Sequence, residues 1–332
     1  MESEGERTLF RIHPADGERE DMMSQLLAVD AQGLHKSFGT VQAVRGLDLQ
    51  VKPGEVVAFL GPNGAGKTTT IDMILGLSEP TKGSVKVYGG TPRQAIARGQ
   101  VAAVMQTGGL LRDITVKETV QLTAAMFDSP RPVTEVLERA GIENLGDRRV
   151  EKCSGGQQQR LRFAMALVSD PGLMILDEPT TGMDVAGRRD FWHAIRQDAQ
   201  RGRTVVFATH YLDEADAYAD RIVLVRQGRV VADGTAAEIK NLAAGRTIRA
   251  ALSHEDPRLA RLPEVDSVEY DGARVTLRSQ DSDAVLRFLL TETDAHDVEV
   301  SANNLEDAFV ALTGDDAEPA VESALTGNEA RA

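Results

Sequence analysis

The residues from Gly61 to Thr69 run Gly61-Pro62-Asn63-Gly64-Ala65-Gly66-Lys67-Thr68-Thr69. Their spacing fits G-x-x-x-x-G-K-[ST], with an apolar run before it (Val56–Leu60) and a helix-forming run after it. Chemistry explains the pattern. Glycines let backbone N–H groups turn inward around phosphate oxygens with no side chain in the way. The N-terminus of the helix beyond adds partial positive charge. Lys67 is placed to reach the terminal phosphates of a nucleotide, and the Thr68 hydroxyl to hold Mg²⁺. Taken alone, the loop predicts that the chain binds a nucleoside triphosphate.

A second run, Leu173-Met174-Ile175-Leu176-Asp177-Glu178, ends a hydrophobic strand in two carboxylates. Strand ends are where α/β sheets present their ligands. One carboxylate for the metal (Asp177) and one for the attacking water (Glu178) is the division of labour that phosphoryl transfer needs. A third run, Cys153-Ser154-Gly155-Gly156-Gln157, directly precedes a helical stretch. Ser154 and Gln157 have capping-box spacing, so a plain helix cap is one reading. A second phosphate-binding surface at a helix N-terminus is the other. A fold with one complete phosphate loop has little use for that surface on its own nucleotide. The surface makes sense if it closes over the nucleotide of a second copy.

The phosphate loop, Ser154-Gly155-Gly156-Gln157, the run Ile175 to Asp184 and the later Thr209-His210 occur in order over residues 31–240. Together they resemble the ATP-binding subunit of an ABC transporter. The resemblance implies a P-loop α/β fold of the ABC type with a helical subdomain, hydrolysing ATP with Mg²⁺. It implies that Glu178, His210, Gln106 and Lys67 are catalytic. Thr68, Gln106 and Asp177 would serve the metal, and Phe38 would stack on adenine unless it is a core phenylalanine. Ser154, Gly155, Gly156, Gln157 and Asp184 would act in trans on the nucleotide of a partner. That partner is a second copy or a homologous ATPase, and a separate multi-span permease completes the transporter. The run Leu305 to Gly314 resembles the closing helix of ABC-2-type exporter ATPases, including the daunorubicin-resistance type. Where the family commonly has leucine before the signature serine, this sequence has Cys153.

Positioning these groups takes short buried strands alternating with helices, hence a largely parallel sheet. The expected strands are Val56–Leu60, Leu173–Leu176, Val205–Ala208 and Ile222–Val225. Val44 to Val51 alternates imperfectly. Residues 110–170 read mostly helical, and Thr115-Val116-Lys117-Glu118 is a capping box. The expected division is an acidic tail over 1–30 and an ATPase unit over 31–242. A small α+β unit over 245–314 and a disordered acidic tail over 315–332 follow. Within the small unit, Asp271-Gly272 is expected to supply the positive φ angles of a hairpin.

Composition limits the alternatives. Of 332 residues, 42% are hydrophobic, enough for a globular core, while aromatics are only 4%. Net charge is -14, with residues 31–244 nearly balanced and the acid excess at the two ends. That disfavours a nucleic-acid partner. A soluble ABC ATPase of DNA repair or translation is the competing reading. Against it stand a single phosphate loop and a stretch between Lys67 and Ser154 too short for a long coiled coil. One cysteine precludes an internal disulfide. No apolar run approaches the ~20 residues of a membrane helix, and the start is acidic rather than signal-like. The resemblance implies a cytoplasmic location, peripheral on the membrane through the permease.

Overall fold

A computed structural model of the chain describes residues 27–105, 109–242, 245–302 and 304–314. The expectations for residues 1–26, for Gln106 and for the tail from 315 onward lie outside these residues. The centre of the fold is strand β3 (Val56–Leu60), whose five residues are all buried. It belongs to a six-stranded sheet with β5 (Val101–Val104), β6 (Leu173–Asp177), β7 (Thr204–Ala208), β8 (Arg221–Arg226) and β9 (Arg229–Gly234). The order is β5-β6-β7-β3-β8-β9. The first five are parallel and β9 pairs antiparallel with β8. Parallel neighbours cannot be joined by tight turns, so the crossovers are helical and cover both faces.

Alternation along the strands divides the interior in two. Val57, Phe59, Ile175, Val206 and Val223 face a core shared with helix α1 (Lys67–Ile74). That core is closed by an antiparallel sheet of β2 (Val41–Val51), β1 (Val29–Phe38) and β4 (Lys82–Val87), in the order β2-β1-β4. Ala58, Leu60, Leu176, Phe207 and Leu224 face the other core. It is filled by α5 (Gly155–Leu167) and α6 (Val185–Gln200), whose Phe163, Phe191 and Trp192 are almost completely buried. Burying each such side chain contributes about 1.5–3 kcal/mol. Helices α3 (Val116–Ala124) and α4 (Val133–Arg139) complete the helical part, and α2 (Pro92–Ala97) lies between β4 and β5. The Thr115–Glu118 capping box forms as expected. Asp198 of α6, almost fully buried, accepts hydrogen bonds from Arg139 of α4 and from Arg203. A buried charge is tolerable only when paired in this way, and the pairing ties the helical part to the sheet.

The structure corrects three expectations. The stretch 1–30 does not end where its acidity does, because Ala28 and Val29 are fully buried and β1 starts at Val29. A bulge around Gly33, with φ of 54°, interrupts the strand and breaks its alternation. The hairpin of β11 (Val265–Asp271) and β12 (Arg274–Ser279) turns on Gly272-Ala273, with Gly272 at φ 59°. Asp271 remains in the ladder opposite Arg274.

The third correction concerns the unit expected over 245–314. Strands β10 (Arg246–Ala251) and β13 (His296–Ala302) join that hairpin in the order β11-β12-β10-β13. With α9 (Ser282–Glu292) they enclose a separate core around Ile248, Val275, Leu277, Val285 and Leu289. The closing helix α10 (Leu305–Thr313), capped by Asn304, does not join that core. Leu305 and Ala308 are buried in the ATPase core, with Phe309 and Leu312 packed against it. There α10 lies on α7 (Leu212–Tyr218) and α8 (Ala236–Leu242).

Candidate functional site

Strand β3 delivers the glycine-rich loop, and α1 takes it up. Gly64 and Gly66 hold φ angles of 80° and 101°, in the left-handed region that suits glycine. At Gly66 a Cβ would lie 2.5 Å from the Ala43 carbonyl oxygen of β2. The loop is also clamped from the side, since Gly228 N–H donates to Ala65 O at 2.8 Å. No side chain caps α1, so its first-turn N–H groups are left for an anion. Lys67 Nζ donates to Gly61 O at 2.5 Å and Pro62 O at 3.2 Å, folded back on its own loop. Burial holds its amine below the usual lysine range, opposed by the charges of Glu178 and Asp177. Thr68 is exposed.

Asp177 is the last residue of β6, and Glu178 follows with φ of 51°. A non-glycine residue in that region costs about 1–2 kcal/mol. The conformation is held by Glu178 N–H donating to Ala208 O, at the end of β7, at 2.9 Å. Its carboxylate Oε2 lies 2.6 Å from His210 Nδ1. The Glu178 side chain is 16% exposed and that of His210 59%, so the pair opens to solvent on the imidazole side. Burial pushes the Asp177 carboxyl above its ordinary range; Glu178 and Asp72 add to this and Lys67 opposes it. Two carboxylates face the Lys67 amine and Asp72 adds a third charge acting on Asp177, so the site is short of positive charge.

Among the described residues there is no group of three or more His, Cys, Asp or Glu side chains that could hold a metal ion. Of the described residues, Thr68 and Asp177 would serve a Mg²⁺ here, with phosphates and water among its other ligands. That fits the preference of this ion for one or two carboxylates plus substrate oxygens.

The remaining expected residues lie apart. Ser154 caps α5 by accepting Gln157 N–H at 3.3 Å, while Gln157 Oε1 accepts Ser154 N–H at 3.0 Å. Both readings of this run therefore survive, because Ser154 and Gly155 are also exposed. Gly156 packs on Met183, where an added Cβ would meet Cγ at 3.2 Å. Asp184 caps α6 by accepting Gly187 N–H at 2.7 Å. Among the described residues, no hydrogen bond or ion pair joins Ser154–Gln157 or Asp184 to Gly61–Thr69. Cys153 is buried in the core, filling the place of a small hydrophobe. Phe38 is 55% exposed, which removes the core alternative, and Lys36 Nζ lies 5.2 Å from its ring centre. Gln106 lies outside the described residues. Sequence reasoning missed Asp72, whose position five residues beyond Lys67 was the available signal. It also missed the Thr180–Glu214 contact, which no local pattern announces.

A buried strand, a phosphate loop opening a helix and a carboxylate pair at a neighbouring strand end define a P-loop nucleoside triphosphatase. Residues 44–181 match the ABC transporter family. The chain is 35% identical over 297 residues to a Nod factor export ATP-binding protein I of Paraburkholderia xenovorans (strain LB400), covering 86% of this chain and 97% of the relative. It is 35% identical over 305 residues to the daunorubicin resistance ATP-binding protein DrrA3 of Streptomyces coeruleorubidus, covering 87% and 96%. A dimeric ATP-binding cassette in a post-hydrolysis state, bound to ADP and Pi, superposes with TM-score 0.57 at 26% identity. That match covers 62% of this chain and 98% of the cassette. The chain belongs to the ABC transporter family, as an ATP-binding and ATP-hydrolysing subunit.

Proposed function

We propose that this chain powers an exporter by closing, with MgATP, onto a second ATPase chain. The observation that carries the reading is a separation. Lys67, Asp177, Glu178 and His210 gather at the phosphate loop, while Ser154 and Gly155 lie exposed at the capped N-terminus of α5. An ATP held by one chain is then completed by the Ser154 surface of the other, in a homodimer or with a homologous subunit. The exporter assignment draws on the Nod factor and daunorubicin-resistance relatives.

In the site, Lys67 leaves the carbonyls of Gly61 and Pro62 for the phosphates. Thr68, Asp177 and Gln106 would hold Mg²⁺, which would supply positive charge for the phosphate oxygens. Glu178 takes the proton of the attacking water, and His210, held by its Nδ1 contact with Glu178, lies beside the γ-phosphate. The exposed Phe38 ring stacks on adenine. Asp184 faces the partner. ATP shifts the open–closed equilibrium only as far as it favours the closed form.

A separate permease supplies the membrane passage and holds the ATPase at the cytoplasmic membrane face. Among the described residues no helix is long and apolar enough to cross a membrane. An apolar cleft of about 340 Å³, lined by Leu110, Met126, Phe127 and Met165 among others, is the surface we assign to the permease. The ATPase unit comprises 29–242 together with 305–313, and 246–302 is a small module set between them. The test is ATP turnover by Lys67→Ala. Turnover is expected to vanish, and near-normal hydrolysis would rule out the site.

A further inference from the structure

Glu214 lies in the first turn of α7, four residues beyond His210, and is only 2% exposed. A carboxylate in that position must be hydrogen-bonded to be tolerated. Its partners come from three separate places in the chain. Thr180 Oγ1, on the segment after β6, donates to Oε1 at 2.5 Å. Thr209 Oγ1, next to His210, donates to Oε2 at 3.0 Å. Arg188 Nε of α6 lies 3.4 Å from Oε1. The Arg188 guanidinium stacks 3.8 Å from the centre of the Tyr211 ring, and that ring lies 4.0 Å from the imidazole of His210. Thr209 Oγ1 also accepts Tyr211 N–H at 3.1 Å, so the residues on both sides of His210 are fixed.

An acidic residue in the first turn of a helix has a plain explanation, compensation of the helix dipole. That explanation calls for a carboxylate in solvent. It does not account for one buried beneath two hydroxyls, one of them from a segment 34 residues away. Thr180 stands two residues after Glu178 and four before Asp184. One carboxylate therefore joins the segment that carries Glu178 and leads to Asp184 with the segment that carries His210.

We propose that Glu214 is a positioning residue for hydrolysis: it sets the Glu178–His210 geometry and makes the partner-facing segment and the histidine move as one. The inference rests on the assignment of Glu178 and His210 to hydrolysis. Glu214→Gln keeps the volume but removes one acceptor and the charge facing Arg188. Thr209→Val removes a donor at constant shape and guards against a folding defect in the first variant. In the full-length chain with MgATP, each is expected to lower kcat by about 10- to 100-fold, the cost of a slightly misplaced catalytic group. KM is expected to stay within about threefold, since binding is untouched. In single-turnover hydrolysis on a His210→Ala background, the cost of Glu214→Gln is expected to disappear, as for residues that act as a unit.

A merely structural Glu214 would lower the melting temperature, leave kcat per folded chain unchanged and keep its full cost in the His210→Ala background. Wild-type kcat in both Glu214→Gln and Thr209→Val, or costs that multiply with that of His210→Ala, would overturn the proposal. If His210→Ala itself turns over ATP normally, the assignment of the histidine fails and takes the proposal with it. If His210→Ala is inactive while Glu214→Gln is normal, only the positioning role fails.

Discussion

Replacing Leu305 by alanine tests where the last helix belongs. Leu305 is 3% exposed and shares the ATPase core with Trp192, the one tryptophan of the chain. Trp192 lies 4.5 Å from Phe207 and stacks 5.0 Å from Tyr218, the last residue of α7, on which α10 rests. Core Leu→Ala substitutions cost about 2–5 kcal/mol. Leu305 sits at the rim of its cluster, beside the half-buried Phe309 and Leu312, so relaxation places it at the low end, about 2–3 kcal/mol. With an m-value of about 2–3 kcal/mol/M for an ATPase unit of this size, the urea midpoint falls by about 1 M. The assay is Trp192 fluorescence during urea unfolding. Leu277→Ala is the control, since Leu277 is fully buried in the other core, that of the small sheet. It should leave the Trp192 midpoint in place. A Trp192 transition moved by Leu277→Ala and unmoved by Leu305→Ala would refute the placement of α10 on the ATPase core.

Gly66→Ala adds a Cβ 2.5 Å from Ala43 O in a left-handed residue. The backbone conformation alone costs about 1–2 kcal/mol, so ATP binding measured by titration should weaken by roughly tenfold if the loop escapes by changing shape. Asp177→Asn removes a carboxylate whose pKa is raised in the folded chain. A raised carboxyl pKa destabilises the fold once pH exceeds the ordinary aspartate range, about pH 4, with the penalty growing until the folded value is passed. The nucleotide-free variant should therefore melt above the wild type at pH 7, with the gap closing toward pH 4. Its extra stability in MgATP should be smaller than that of the wild type. A gap independent of pH would contradict the assignment.

What the sequence revealed and what it hid follow from the range of the interactions. The phosphate loop was legible because glycines at φ 80° and 101° and the lysine beyond them lie within a few residues of one another. The Ser154–Gln157 cap was legible for the same reason, its two bonds spanning three residues. Strand β1 was half hidden because the bulge at Gly33 shifts its register, and with it the alternation that marks a strand. The spacing of Leu305, Phe309 and Leu312 puts them on one helix face but does not name its partner, which lies in α7 and α8. Glu214 was invisible because it reaches Thr180 across 34 residues. The hairpin turn was misplaced by one residue, because Asp271 pairs with Arg274 instead of entering the turn.

The central claim is that Glu178 performs hydrolysis in a site completed by a second chain. Glu178→Gln keeps the shape of the side chain and removes the proton acceptor, so ATP should bind without being consumed. Gel filtration of the purified variant at saturating MgATP, read beside single-turnover hydrolysis, is the direct measurement. A dimer that depends on MgATP and holds unhydrolysed ATP is expected. A variant that hydrolyses ATP at the wild-type rate, or that binds it while remaining monomeric both alone and when mixed with its homologous subunit, would contradict the claim.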